Sequence, residues 1–102
     1  MNFGLSDNSL NLIINAVSAI EKIDSAYIFG SRAMGNYKPG SDVDLVVKGN
    51  DIDYDTISEL SLQLNELLPL PYFFDVLSYD LIESAELRKH IDEYAKILFA
   101  RV

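Results

Sequence analysis

Two aspartates, Asp42 and Asp44, stand one residue apart at the start of the apolar run Leu45-Val46-Val47. On a strand this spacing puts both carboxylates on one face, roughly 6–7 Å apart. Charge at the rim of a core needs a compensating partner, because an unpaired buried charge is very costly. The pair can share one or two hard cations, and a donor set made only of carboxylate oxygens is typical of Mg²⁺. Asp75 would add a third carboxylate if its predicted strand lies beside this one.

Gly30 and Ser31 follow the apolar segment 25–29 and could supply the complementary half of a site. Gly30 allows the backbone to approach a ligand closely. Ser31 is predicted to cap a short helical turn over residues 32–36, whose free N–H groups would attract an anion. An anion site that faces carboxylate-bound metal ions is the arrangement required to transfer a phosphate-bearing group.

The elements that position these residues follow from hydrophobic spacing. The pattern predicts a helix from Asn8 to about Lys22, and a second that begins at Asp53 or Asp55 and ends before Pro69. Strands are expected at 25–29, 41–48 and 72–77, and most of the chain after Ser78 is expected to be helical. Residues 96–102 fit a helix or a further strand equally well. The order predicts an α+β fold, a small sheet with helices packed on one face.

Composition narrows the possible functions. At 102 residues the chain is expected to form one domain, residues 1–102. Its net charge of −8 argues against nucleic acid as a direct partner and favours cations or a basic protein. With no membrane-length apolar run and no basic-then-apolar N-terminus, we expect a cytoplasmic protein without membrane contact. The absence of cysteine excludes disulfides and thiolate metal sites.

The spacing Gly30-Ser31, ten residues, then Asp42-x-Asp44 resembles the signature of the DNA polymerase β-like nucleotidyltransferase superfamily. The fuller run, with Arg32, Ala33 and Gly35 and then Ser41 and Leu45, is similar to its minimal nucleotidyltransferase (MNT, MntA-like) branch, the antitoxin partners of HEPN-domain toxins. The resemblance covers nearly the whole chain. It implies a polymerase-β-type nucleotidyltransferase fold with a small mixed β-sheet.

The resemblance also implies roles for individual residues. Gly30 and Ser31 would hold the phosphates of ATP, with Arg32 and Ser41 as further nucleotide-binding residues. Asp42 and Asp44 would bind two Mg²⁺ ions. Asp75 would complete one metal site and help to deprotonate the acceptor hydroxyl.

The implied reaction is transfer of AMP from ATP to a tyrosine of the cognate HEPN RNase toxin, with which the chain would form a hetero-oligomer. Two alternatives stay open. One is an antitoxin that neutralises its partner by binding alone. The other is nucleotidyl transfer to a small molecule such as an aminoglycoside, against which the lack of a second substrate domain counts.

Some residues have plainer interpretations. Arg32 is as well suited to a surface ion pair as to a phosphate contact, and Lys38 fits a solvated loop better than a triphosphate contact. His90, the one histidine, lies in a polar stretch and is interpreted as part of a solvated helix face.

Overall fold

The computed structural model describes residues 2–101. Its first helix, α1, spans Asp7–Ser18 and begins at Ser6, whose hydroxyl accepts a hydrogen bond of 3.1 Å from the Ser9 N–H. Ile13 and Val17, one turn apart, are fully buried, as the helical spacing predicts. The helix ends before Lys22 because the chain turns at Ile20, whose N–H bonds the Val17 carbonyl, and enters a strand at Ile23.

Four strands form one mixed sheet: β1 (Ile23–Phe29), β2 (Val43–Gly49), β3 (Phe74–Ser78) and β4 (Lys96–Ala100). Their order across the sheet is β3-β2-β1-β4. β1 is antiparallel to both β2 and β4, whereas β2 and β3 are parallel. The α+β class with a small mixed sheet is therefore confirmed. The segment whose periodicity was ambiguous forms β4, although Val102 lies outside the described residues.

Helices cover both faces of the sheet. α1 and α3 (Tyr54–Leu62) pack on the face that carries Ile28 and Leu45, where the main core lies. α4 (Ala85–Tyr94) packs through Ile91 on the opposite face. The expectation of helices on one face thus holds for α1 and α3 but not for α4. The reason is that Phe29 and Val46 alternate to the second face and are themselves buried, so that face also needs an apolar cover.

The segment between β2 and β3 is held by side-chain caps at both ends. Asp53 begins α3, its Oδ1 accepting bonds from the N–H and hydroxyl of Thr56 at 2.9 and 2.7 Å. The helix continues as a π-helical turn, Gln63–Leu67, which contains Asn65. The Asn65 amide donates to the Phe74 carbonyl at 3.0 Å and accepts from the Phe74 N–H at 2.7 Å. One side chain thus satisfies both outward-facing backbone groups at the start of the edge strand β3.

Two short helical segments complete the chain. α2 (Ser31–Met34) links β1 to β2, and Gly30 rather than Ser31 occupies its N-cap position. A 3₁₀ turn (Tyr79–Leu81) precedes α4, so the helix expected after Ser78 is confined to α4. After β4, the Arg101 guanidinium donates to the carbonyls of Ser18, Ile20 and Ile23 at 3.0–3.2 Å and fastens the α1–β1 connection.

Between residues 2 and 101, no helix has the length and apolar character needed to cross a membrane.

Candidate active site

The sheet brings two of the predicted site aspartates side by side. Asp44 pairs in register with Asp75 across the parallel β2–β3 ladder. Paired residues on neighbouring strands point to the same face from backbones about 4.8 Å apart. The condition set by the sequence, that the strand of Asp75 lie beside that of Asp44, is met. Asp42 lies two residues before Asp44, just ahead of β2, and is exposed.

The three carboxylates interact electrostatically. The pKa of Asp44 is raised above its ordinary value, chiefly because burial disfavours its charged form. The neighbouring charges of Asp75 and then Asp42 raise it further, whereas His90 lowers it when its imidazole carries a charge. Burial and two neighbouring carboxylates thus disfavour the charged form of Asp44, a position that a cation would stabilise.

This donor set suits magnesium in its chemistry, since it consists of carboxylate oxygens alone. Within the described residues, no three acidic or histidine side chains are gathered closely enough to hold a metal ion as they stand. Asp42, Asp44 and Asp75 are the residues that would hold Mg²⁺, and this assignment stays a prediction.

Gly30 joins the two halves of the predicted site. It adopts φ +71° and ψ −153°, a conformation open essentially to glycine alone. A Cβ placed on Gly30 would collide with the carboxylate of Asp44. Since Phe29 pairs with Asp44 in the β1–β2 ladder, the Gly30-Ser31 turn starts directly beside that carboxylate.

The turn leaves backbone donors at the start of α2. The N–H groups of Ala33 and Met34 both bond the Gly30 carbonyl, at 3.2 and 3.1 Å. The N–H groups of Ser31 and Arg32 come earlier in α2 and have no carbonyl acceptor within the helix. These are the donors that the predicted phosphate role of Gly30 and Ser31 would use.

Arg32 has a position that the sequence analysis did not consider. It is only 2% exposed, which excludes the surface ion pair. Its guanidinium donates twice to the Ser41 carbonyl, at 2.8 and 3.1 Å, and once to the Phe3 carbonyl at 2.9 Å. It also lies 5.1 Å from the ring centroids of both Tyr37 and Tyr72. These contacts tie the α2–β2 connection to the N-terminal segment, and the predicted phosphate contact is not among them.

Ser41 and Lys38 close the turn before β2. The Ser41 hydroxyl accepts from the Lys38 N–H at 2.8 Å, and the Ser41 N–H donates to the Lys38 carbonyl at 2.9 Å. Lys38 is exposed, in keeping with a solvated loop. The turn orients Asp42, which follows it, and nucleotide binding by Ser41 stays a prediction.

His90 is the residue at this site that the sequence analysis missed. It is half-buried, and its Nε2 accepts a hydrogen bond of 3.3 Å from the Gly30 N–H. Its ring packs between Phe29 (centroids 6.3 Å apart) and Tyr94 (5.2 Å). The solvated-face interpretation is therefore wrong. The available signal was that His90 adjoins Ile91 at the edge of the apolar face of α4, but periodicity could not say which strand end it would meet.

Paired carboxylates beside a glycine turn, on a mixed sheet of this order, agree with the nucleotidyltransferase fold that the sequence resemblance implies. The profile of the family described as "Polymerase beta, Nucleotidyltransferase" matches residues 11–102. The chain belongs to this polymerase β nucleotidyltransferase family and is an enzyme of that class. No curated protein is significantly similar to it in sequence.

Solved structures share the fold. A chain from a crystal structure of a toxin–antitoxin with AMP-PNP superimposes with a TM-score of 0.70 at 24% identity, covering 95% of this chain and 75% of that one. A chain from a structure of a tri-AMPylated Shewanella oneidensis HEPN toxin with an MNT antitoxin gives 0.70 at 23% identity, with 95% and 74% covered. A putative nucleotidyltransferase from Sulfolobus solfataricus gives 0.53 at 18% identity, with 96% and 92% covered.

Proposed function

We propose that this nucleotidyltransferase is the antitoxin of a HEPN/MNT toxin–antitoxin pair. It would transfer AMP from ATP, with Mg²⁺, to a tyrosine hydroxyl of its cognate HEPN toxin. The observation that carries the transfer reaction is the convergence of Asp44, Asp75 and Gly30 at one end of the β1–β2–β3 sheet. The contact between the Gly30 turn and the Asp44 carboxylate supports a site in which metal ions and phosphates would lie side by side.

In this mechanism the chain contributes position and electrostatics. Bound at the carboxylates, Mg²⁺ would neutralise phosphate charge and polarise the phosphorus that is attacked. The N–H groups of Ser31 and Arg32 would hold the phosphates. The acceptor oxygen forms a bond to the α-phosphorus, the bond to the β-phosphate oxygen breaks, and pyrophosphate leaves. Asp75, exposed on the edge strand, would take the proton of the acceptor hydroxyl.

A protein acceptor is supported by the open surroundings of this site and by the acidic surface. Asp42 and Asp75 are both exposed, so a hydroxyl presented by another protein could reach them. The net charge of −8 favours a basic partner. The superimposable chains come from structures of toxin–antitoxin complexes, one of which contains an AMPylated HEPN toxin.

Intact-mass measurement of the cognate toxin tests the reaction. After incubation with this protein, ATP and Mg²⁺, the toxin is expected to gain one or more AMP units. The Asp42→Asn, Asp44→Asn double variant should abolish the gain. Asp24→Asn is the matched control, because Asp24 is an exposed carboxylate at the opposite end of β1.

A dose series separates catalysis from neutralisation by binding alone. Catalytic transfer predicts that the wild type silences a molar excess of toxin in the presence of ATP, and that the double variant does not. Neutralisation by the double variant at a substoichiometric dose would show that transfer is not the mechanism. Neutralisation by both proteins only at equal molarity, without a mass change, would favour the binding-only antitoxin.

A further inference from the structure

His90 makes the only side-chain hydrogen bond that α4 sends to the β1–α2 turn within residues 2–101. The other polar side chains of α4 bond elsewhere: Arg88 donates to the carbonyls of Tyr79 and Ile82, and Asp92 accepts from the Tyr79 hydroxyl. The contact at Gly30 therefore links a helix on one face of the sheet to the turn beside the carboxylates.

We infer that His90 is a positioning residue for nucleotide binding: its neutral imidazole, protonated on Nδ1, accepts the Gly30 N–H and holds the Gly30 peptide so that the next two N–H groups face the phosphates. The inference rests on the proposed function for its link to ATP. It concerns how the phosphate turn is held: between residues 2 and 101, no other side chain hydrogen-bonds the Gly30 peptide.

The geometry gives His90 this role in three ways. The direction of the bond sets the tautomer, since a nitrogen that accepts from an N–H carries no proton of its own. The bond engages Gly30, whose backbone conformation is open essentially to glycine alone. The ring itself is held by Phe29, the residue before Gly30, and by Tyr94, one turn further along α4.

The bond also gives the backbone N–H groups of the turn different partners. With the Gly30 N–H occupied by the imidazole, the N–H groups of Ser31 and Arg32 are left for phosphate oxygens. If the imidazole is lost, the Gly30 peptide can rotate, because glycine has low barriers between backbone conformations. The two remaining donors would then lose their common direction while the fold itself is kept.

The first test is spectroscopic and does not depend on ATP. His90 is the only histidine, so one set of imidazole signals in a long-range ¹H–¹⁵N spectrum needs no assignment by mutation. In a spectrum recorded at about pH 8, we expect an Nδ1 that carries hydrogen and an Nε2 that does not. A spectrum with hydrogen on Nε2 would overturn the inference.

The second test compares His90→Phe with His90→Gln. Phenylalanine keeps the ring contacts but has no acceptor, whereas glutamine supplies an amide oxygen near the position of Nε2. Titration with Mg²⁺–ATP should give a Kd about fivefold weaker for His90→Phe, the size expected for one lost neutral hydrogen bond. His90→Gln should stay within about twofold of the wild type. Lys89→Arg, on an exposed position of the same helix, is the control and should bind as the wild type does.

The outcomes separate the two hypotheses. Equal Mg²⁺–ATP affinity of His90→Phe and the wild type overturns the role of His90 and leaves the proposed function intact. Failure of the wild type to bind Mg²⁺–ATP refutes the proposed function, and the role of His90 in it. Thermal melts of the variants complete the test: weaker binding by His90→Phe that tracks a general loss of stability, shared by His90→Gln, would identify a purely structural contact.

Discussion

Replacing Gly30 by alanine tests whether the phosphate turn and the carboxylates are in direct contact. Two costs combine at this position. A non-glycine residue in this backbone conformation costs on the order of 1–3 kcal/mol. In addition, the new Cβ meets the Asp44 carboxylate, which must move. We expect Gly30→Ala to lower the free energy of unfolding by about 3 kcal/mol in total.

Gly40→Ala is the reference for a glycine at positive φ whose Cβ would meet no neighbour. Gly40 has φ +84°, also a left-handed value, but a Cβ there would meet nothing within 4 Å. The expected cost is about 1–2 kcal/mol. Since 1 kcal/mol shifts Tm by roughly 4–8 °C in a domain of this size, the two variants should be readily distinguished by thermal or chemical unfolding.

A double-mutant cycle isolates the collision. In an Asp44→Ala background the carboxylate is gone, so Gly30→Ala should cost only its backbone term, on the order of 1–3 kcal/mol. The coupling energy between the two substitutions should be at least about 1 kcal/mol. AMP transfer should fall by about 100-fold in Gly30→Ala, since a displacement of about 1 Å at a reacting centre has effects of that size. Equal destabilisation by Gly30→Ala and Gly40→Ala, with strict additivity toward Asp44→Ala, would refute the reasoning.

Three further results are expected. Because the pKa of Asp44 is raised in the folded state, the stability that this carboxyl contributes is fully present below its ordinary pKa of 3.8 and is lost as the pH rises through the raised pKa. Asp44→Asn should therefore have a higher Tm than the wild type at neutral pH in EDTA, and the difference should disappear toward pH 3.8. A Tm difference that stays constant at all pH values would contradict this. Mg²⁺ should raise the Tm of the wild type and leave Asp44→Asn unchanged, since the cation relieves repulsion among the carboxylates; no shift in either protein, with or without ATP, would count against a metal site. Arg32→Met should lower the free energy of unfolding by about 2–4 kcal/mol, because the Ser41 and Phe3 carbonyls lose their donor. Arg32→Lys should restore little of this stability. Weaker ATP binding at unchanged stability would instead favour the phosphate contact.

Local patterns predicted most of the elements, because each depends on near neighbours in the chain. The spacing of Ile13 and Val17 marks the buried side of α1, and the polar residue at Asp53 marks the start of α3. The contact between Asp44 and Asp75 could be stated only as a condition, since strand order is decided by the packing of the whole chain.

Long-range contacts account for what the sequence did not disclose. Arg32 has the same charge and the same donors whether it binds a phosphate or two carbonyls. The choice depends on whether the distant segment that contains Phe3 folds against it. His90 has a polar neighbourhood along the helix, yet the helix crosses to the second face of the sheet and brings it to a turn 60 residues away. A helical pattern specifies which side is apolar, but not which face of a sheet it will cover.

The position of β4 has a consequence for the order of folding. β1 is the inner strand that β4 borders, and their pairing joins residues 25–28 to residues 96–100. Such distant partners meet slowly compared with local ones, so β1, β2 and β3 can associate while the other edge of β1 is still open. An open edge of a strand invites pairing with another chain. During synthesis, β1 becomes an inner strand only after residues 96–101 have emerged and Arg101 has engaged the carbonyls between the end of α1 and the start of β1.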